Sequence, residues 1–305
     1  MIEGDMLQIR VPGSTANLGP GFDSLGLALS LYLTLDVEIS DSWEVVMQSE
    51  ELRAFPTDET NFIIKVAIET ADKYNKSLSP CKITMKSDIP LARGLGSSAA
   101  AIIAGIELAN VVGNLNLTNE EKFKVASEIE GHPDNVGASL YGGLVIGSQM
   151  DGEVEAIVYH NLDFDVVAVV PHQELLTKES REVLPKQYSS DEAVKASAVS
   201  NVFVAALLSK NYPLAGKVMK KDLFHQPYRK HFVPQLPFLE KFAEEHGAFG
   251  VALSGAGPTV ICCVENNYEE NLLEALTQQL PEMNIFRLRI DQVGSTVKVH
   301  SELTK

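Results

Sequence analysis

The run Pro90-Leu91-Ala92-Arg93-Gly94-Leu95-Gly96-Ser97-Ser98-Ala99-Ala100-Ala101 is the part of this 305-residue chain whose residue types point most directly to chemistry. Gly94 and Gly96 let a backbone come close to an anion. Ser97, Ser98 and Ala99 open a stretch that reads as a helix, and the first N–H groups of a helix have no internal partner. Together with the positive helix end they form an anion site. The small side chains leave room for a triphosphate, and Ser98 offers a hydroxyl to Mg²⁺, which bridges phosphate oxygens.

Three other readings compete. A P-loop needs GxxxxGK[ST], which is absent. Gly94-Leu95-Gly96-Ser97-Ser98-Ala99 fits the dinucleotide pattern G-x-G-x-x-A. That pattern should follow a strand directly, whereas Pro90 stops any strand here, and no second strand ends in an acidic residue about 20 positions on. A glycine turn before a core helix would suffice for a lone GxG. The full run, with its proline, arginine and two serines, is more specific than that.

The elements that must position this loop follow from periodicity and punctuation. The pattern predicts a strand over 7–11, a glycine-rich loop over 12–23, and paired strands over 25–39 and 43–47. Apolar spacing predicts a helix over 61–74 with Thr60 as its cap, then a strand over 81–85 and a buried helix over 97–112. Thr118 and Glu121 form a capping box for a helix over 118–129, and Gly142-Gly143 ends a short helix over 133–140. Strands follow at 144–148, 154–159 and 165–170. The remainder reads as helices at 190–209, 214–221, 234–246 and 268–279 with strands at 250–253, 259–264, 285–290 and 297–299. The whole is an α+β chain whose second half has the split βαβ pattern, divided into 1–165 and 166–305.

Composition narrows the partners. Forty-one acidic and 25 basic residues give a net charge of −16, which repels nucleic acid and anionic membranes. An anion site must therefore rest on local donors. Cys81, Cys262 and Cys263 show no CxxC spacing, and the adjacent pair lies in a strand-like run that sends the two to opposite faces. They read as packed, reduced thiols. The acidic start Met1-Ile2-Glu3-Gly4-Asp5 has no apolar signal region, and the longest apolar stretch is too short to span a bilayer, so the expected location is cytoplasmic.

Residues 89–100 resemble the central motif of the GHMP kinases (galactokinase, homoserine kinase, mevalonate kinase, phosphomevalonate kinase). Two further stretches resemble the family's flanking motifs: Pro12-Gly13-Ser14-Thr15-Ala16-Asn17-Leu18-Gly19-Pro20-Gly21-Phe22-Asp23 and Leu253-Ser254-Gly255-Ala256-Gly257-Pro258-Thr259. The resemblance covers nearly the whole chain. It implies a two-domain architecture, N-terminal like domain 2 of ribosomal protein S5 and C-terminal ferredoxin-like. It also implies ATP and Mg²⁺ as cofactors and a homodimer. Asn17–Asp23, His132-Pro133-Asp134-Asn135, Arg181-Glu182-Val183-Leu184-Pro185 and His225-Gln226-Pro227-Tyr228-Arg229 resemble the branch that phosphorylates L-homoserine on the route to threonine. A mevalonate- or phosphomevalonate-type kinase is the alternative. An RNA-binding role, suggested by the S5-like fold, fits poorly with a charge of −16.

The resemblance implies roles residue by residue. Pro90 to Ala100 bind ATP, with Asn61 near the base. Arg181 and Arg229 match substrate-holding positions, and each can clamp a carboxylate with two hydrogen bonds. Asp23 can take the substrate ammonium or hydroxyl, although an Asx-type turn would also explain it. Asn17 can hydrogen-bond the substrate, with the same alternative, and His132 matches a substrate contact. Ser98 and Glu130 are the metal ligands, with Glu128 as an alternative to Glu130. Relatives of the galactokinase and mevalonate kinase type place an aspartate as base where this chain has Asn135. An amide cannot take a proton, so Asn135 is expected to orient the hydroxyl, with Asp134 or Asp23 as the fallback base. A loose phosphoryl transition state tolerates this, because it needs positioning and charge neutralisation more than deprotonation.

Overall fold

The computed structural model describes residues 6–265 and 268–300. The first sheet is built from β1 (Met6–Asn17), β2 (Gly21–Ile39), β3 (Glu44–Met47), β4 (Cys81–Ser87), β5 (Leu144–Met150) and β6 (Glu153–Tyr159). Helices α1 (Phe62–Lys73), α2 (Ser97–Val112), α3 (Asn119–Glu130) and α4 (Asp134–Tyr141) are interleaved with them. From Leu29 to Val37 β2 alternates buried and half-buried residues, the period of a strand with one face in the core. It is the sheet's centre: its outer half pairs with β4, its inner half with β5, and β1 runs along its other edge. Among the described residues every strand pairing is antiparallel except β3 with β4, which are joined through α1. In α2, ten of 16 residues are buried. Each fully buried isoleucine there contributes about 1.5–3 kcal/mol.

The second sheet contains β7 (Phe164–Val170), β8 (Ala248–Leu253), β9 (Val260–Glu265) and β10 (Asn284–Leu288), in the order β10-β7-β9-β8. Helices α5 (Thr177–Glu182), α6 (Ser190–Leu208), α7 (Tyr212–Met219), α8 (Gln226–Arg229) and α9 (Leu236–Glu245) lie between β7 and β8, and α10 (Glu269–Gln279) between β9 and β10. This antiparallel 4-1-3-2 order with helices after the first and third strands is the ferredoxin-like arrangement. The last strand, β11 (Thr296–His300), leaves this sheet and pairs with β1 of the first, so the second half of the chain is not one continuous unit. Cys262 packs in the core cluster on one face of the second sheet and Cys263 in the larger cluster on the other, as the strand pattern predicted.

Two local expectations are corrected. The loop over 12–23 is mostly strand: β1 continues through a register shift after Pro12 to Asn17, and only Leu18, Gly19 and Pro20 make the turn. Gly13 is there for closeness rather than for a loop. Ser14 N donates to Leu95 O at 3.0 Å, and a Cβ on Gly13 would lie 2.9 Å from that same carbonyl. The cap of α1 is Asn61, whose side chain accepts from Ile63 N, and not Thr60, whose hydroxyl donates to Asp58. Helices α5 and α8, six and four residues long, are too short to carry an apolar period that the sequence pattern could show.

Candidate active site

The glycine loop sits where the two sheets meet. Gly96 is the cap residue of α2 with φ 74°, a left-handed conformation, and a Cβ there would lie 2.2 Å from Ser14 Oγ. Gly94 has φ 76°, and its Cβ would lie 2.2 Å from Ser254 O. Among the described residues no side chain caps α2, and no acidic residue stands in its first turn, whose Ser97 and Ser98 line the cleft. Ser254 Oγ, which hydrogen-bonds both Gly94 O (2.5 Å) and Thr15 Oγ1 (2.8 Å), joins the loop, the first sheet and the second. Arg93 does not turn towards the cleft. Its guanidinium donates to Pro171 O (3.0 Å), Leu91 O (2.7 Å) and His172 O (2.5 Å), which makes it a tie between the loop and the segment after β7. Leu95, Ala99 and Ala100 are buried and shape the loop from behind.

A polar cleft opens beside the loop. Asn17, Asp23, Ser98, Glu130, His132, Asn135, Arg181 and Arg229 all line it, so the expected acceptor and metal residues come together in space from seven elements and, for His132, the turn between α3 and α4. Arg181, on α5, donates to both carboxylate oxygens of Asp23 at 3.0 and 2.7 Å. That hydrogen bond, outweighing burial, raises the Arg181 pKa. Arg229 is 2% exposed. Burial and then the Arg181 charge lower its pKa to about 10, which leaves it a cation at neutral pH. Asn17 is held at both ends: Nδ2 donates to Gly255 O at 3.0 Å and Oδ1 accepts from Asp23 N at 3.0 Å. Its side chain shapes the turn that presents Asp23.

At the start of α4, Asn135 lines the cleft and its Nδ2 donates to Ser14 Oγ at 2.9 Å, which leaves Oδ1 as the amide's acceptor. Asp134 is 1% exposed and already engaged, accepting from Asn135 N (2.7 Å) and facing His132 Nδ1 (2.5 Å). Burial disfavours the His132 cation, but the Asp134 hydrogen bond and the charges of Asp134, Glu130 and Asp23 prevail and raise its pKa above 6.5. Glu130 Oε2 lies 3.2 Å from Ser98 Oγ. Burial raises the Glu130 pKa against the pull of His132. Glu128 is on the other side of α3, exposed and paired with Lys73, so Glu130 is the carboxylate that reaches the loop.

On the other side of Ser97 and Ser98 lies an apolar cavity walled by Leu52, Phe55, Ile63, Met85, Ile89 and Ala101, suited to a flat heterocycle. Asn61 borders it, but its amide is engaged by Ile63 N and Pro56 O, so it shapes the wall. Sequence reasoning missed Phe22, whose ring lies 5.6 Å from the Arg181 guanidinium and 5.4 Å from that of Arg229. It also missed Ser180, which accepts Arg229 Nε at 3.1 Å and donates to Ala256 O at 2.8 Å. Phe22 stood inside a quoted motif; Ser180 had only its place beside Arg181 as a signal.

Residues 61–143 match the family described as GHMP kinases N terminal domain, and residues 203–282 match GHMP kinases C terminal. A homoserine kinase of Bacillus pumilus is 50% identical over 293 residues, 96% of this chain and 94% of that protein. One of Bacillus velezensis is 50% identical over 299 residues, 98% of this chain and 97% of its own length. The crystal structure of homoserine kinase from Cytophaga hutchinsonii superposes with a TM-score of 0.85 at 25% identity, covering 98% of each chain. Mevalonate kinase from Methanococcus jannaschii shares the fold, with a TM-score of 0.70 at 22% identity over 93% of this chain and 98% of that one.

Proposed function

The chain belongs to the GHMP kinase family, and on that premise we propose that it transfers the γ-phosphoryl group of ATP to the side-chain hydroxyl of L-homoserine, giving O-phospho-L-homoserine and ADP. The observation that carries the choice of acceptor is the convergence of Arg181, Arg229 and Asp23 beside the phosphate loop. Two cations and an anion complement the carboxylate and ammonium of an amino acid. A sugar offers neither charge, and mevalonate offers only the carboxylate. The relatives named homoserine kinase, about half identical over nearly the full chain, point the same way.

ATP lies with its base in the apolar cavity and its phosphates on the N–H groups of Ser97, Ser98 and Ala99. Ser98 Oγ and Glu130 Oε2, 3.2 Å apart, are an oxygen-only donor pair at the phosphate end of the cleft, and Mg²⁺ fits them. Bound there, the ion neutralises charge on the phosphate oxygens. Arg229 holds the acceptor carboxylate, Asp23 takes the ammonium, and Arg181 changes partner from Asp23 to the carboxylate. Asn135 Oδ1 accepts the hydrogen bond of the acceptor hydroxyl and aims its oxygen at the γ-phosphorus. The new O–P bond forms as the bond from that phosphorus to the β,γ-bridging oxygen breaks, and ADP leaves. The hydroxyl proton moves late, to an oxygen of the transferred phosphoryl group. Asp134 is already engaged by His132 and by a backbone N–H, so it is poorly placed to act as base.

An ADP-release assay with L-homoserine, mevalonate, galactose and shikimate tests the proposal. Turnover should be confined to homoserine; release with mevalonate and none with homoserine would overturn it.

A further inference from the structure

The stretch His225-Gln226-Pro227-Tyr228-Arg229 contributes Arg229 to the cleft, and its histidine is fully enclosed, 0% exposed. His225 Nε2 lies 2.9 Å from Gly19 O. A carbonyl only accepts, so Nε2 carries the hydrogen. Nδ1 lies 3.3 Å from Arg229 Nη1, and a guanidinium only donates, so Nδ1 is a bare acceptor. The ring is therefore fixed as a single neutral tautomer. Burial holds its pKa below the ordinary 6.5, with Arg229 adding to the effect and Asp222 opposing it.

The surroundings lock that ring in place. Asp222, 5% exposed, accepts from the backbone N–H groups of Phe224 (2.8 Å), His225 (3.2 Å) and Gln226 (2.6 Å) and so fixes the backbone entering α8. Phe22 stacks on the imidazole at 5.3 Å and 19°. Arg229 is then held from three directions: Nε by Ser180 O at 3.1 Å, Nη1 by Gly255 O at 3.1 Å, and Nη1 again by the histidine. Among the described residues its Nη2 has no hydrogen-bond partner, and Arg229 lines the acceptor cleft.

We propose that His225 is the positioning residue for the acceptor carboxylate: wedged between the Gly19 carbonyl and Arg229, its neutral ring sets the guanidinium so that Nη2 meets the carboxylate of an amino-acid alcohol. The proposal rests on the acceptor reading above and adds to it a link between the β1–β2 turn, which presents Asp23, and the arginine opposite. The histidine touches no substrate. It acts through the orientation of Arg229.

The test compares His225→Asn, whose amide oxygen can take the place of Nδ1, with His225→Gln, which reaches towards Gly19 but leaves Arg229 Nη1 without its acceptor. Each variant is assayed with L-homoserine and with 3-aminopropan-1-ol, the same alcohol without its carboxylate, as substrate or as competitive inhibitor. In His225→Gln the preference for homoserine should fall about tenfold or more through KM, the size of one hydrogen bond to a charged group, with the KM for ATP unchanged. His225→Asn should keep the preference. Equal loss for both alcohols, an unchanged preference in His225→Gln, or a lost preference in His225→Asn overturns the proposal. Where the Gln variant fails to fold, the Asn variant decides alone by the same criterion. A wild-type protein that phosphorylates neither alcohol removes the acceptor reading itself, a result distinct from these.

Discussion

Arg181 and Asp23 form a two-pronged ion pair, 3.0 and 2.7 Å long, across the mouth of the cleft that would hold the acceptor. One partner comes from β2 of the first sheet and the other from α5 beside the second. Both side chains are about one-third exposed, 37% and 35%. A pair that open contributes little to stability, about 0–1 kcal/mol. On the proposed function the two are recognition groups that would satisfy each other until a zwitterion replaced each partner with its own opposite charge.

Substituting Asp23→Asn removes the ammonium partner and releases Arg181. The KM for homoserine should rise about tenfold or more while the melting temperature barely moves. Steady-state kinetics beside a thermal melt check both halves. A large drop in Tm with an unchanged KM would make the pair a structural staple instead.

Ser98→Ala leaves the backbone donors of the loop intact and removes one of the two oxygens near which Mg²⁺ would bind. It should lower kcat about 10- to 100-fold and raise the Mg²⁺ concentration needed for half-maximal rate. A change confined to the KM for ATP would show that the serine only helps to hold the nucleotide.

Asn135→Ala deletes the acceptor that aims the hydroxyl. The expected result is a fall in kcat of about tenfold or more with the homoserine KM little changed, because the lost interaction matters most as the oxygen attacks. Full kcat in this variant would assign the orienting role elsewhere.

His132 links stability to pH. Burial works against its cation, but the Asp134 hydrogen bond and the nearby carboxylates prevail, so its folded pKa lies above the ordinary 6.5. The folded protein then binds its proton more tightly than the unfolded chain. The stabilisation is fully present below about pH 6.5 and is lost as pH rises through the folded pKa. Denaturant titrations of wild type and His132→Gln from pH 5 to 9 should differ most at the acid end. A gap that widens with pH would reverse the assignment.

The glycine turn that opens α2, the capping box of α3, the opposed faces of Cys262 and Cys263 and the split βαβ pattern were legible because each rests on local spacing. The stretch from Pro12 to Asn17 misled, because its glycine answers to the Leu95 carbonyl, a contact from the glycine loop before α2, far along the chain. The acceptor residues were placed by resemblance to known motifs; nothing in their spacing told that the Asn17 amide would be engaged by the Gly255 carbonyl and the Asp23 N–H, or that Arg93 of the glycine loop would donate to backbone carbonyls. Phe22 and Ser180 act by supporting two arginines, and that role exists only once both sheets have met.

Phosphorus NMR of the reaction with ATP, Mg²⁺ and L-homoserine follows the transferred group itself. A new phosphate monoester on the side-chain oxygen of homoserine is expected, formed one for one with ADP. Inorganic phosphate in place of that ester, or an ester formed only when mevalonate is supplied instead, would contradict it.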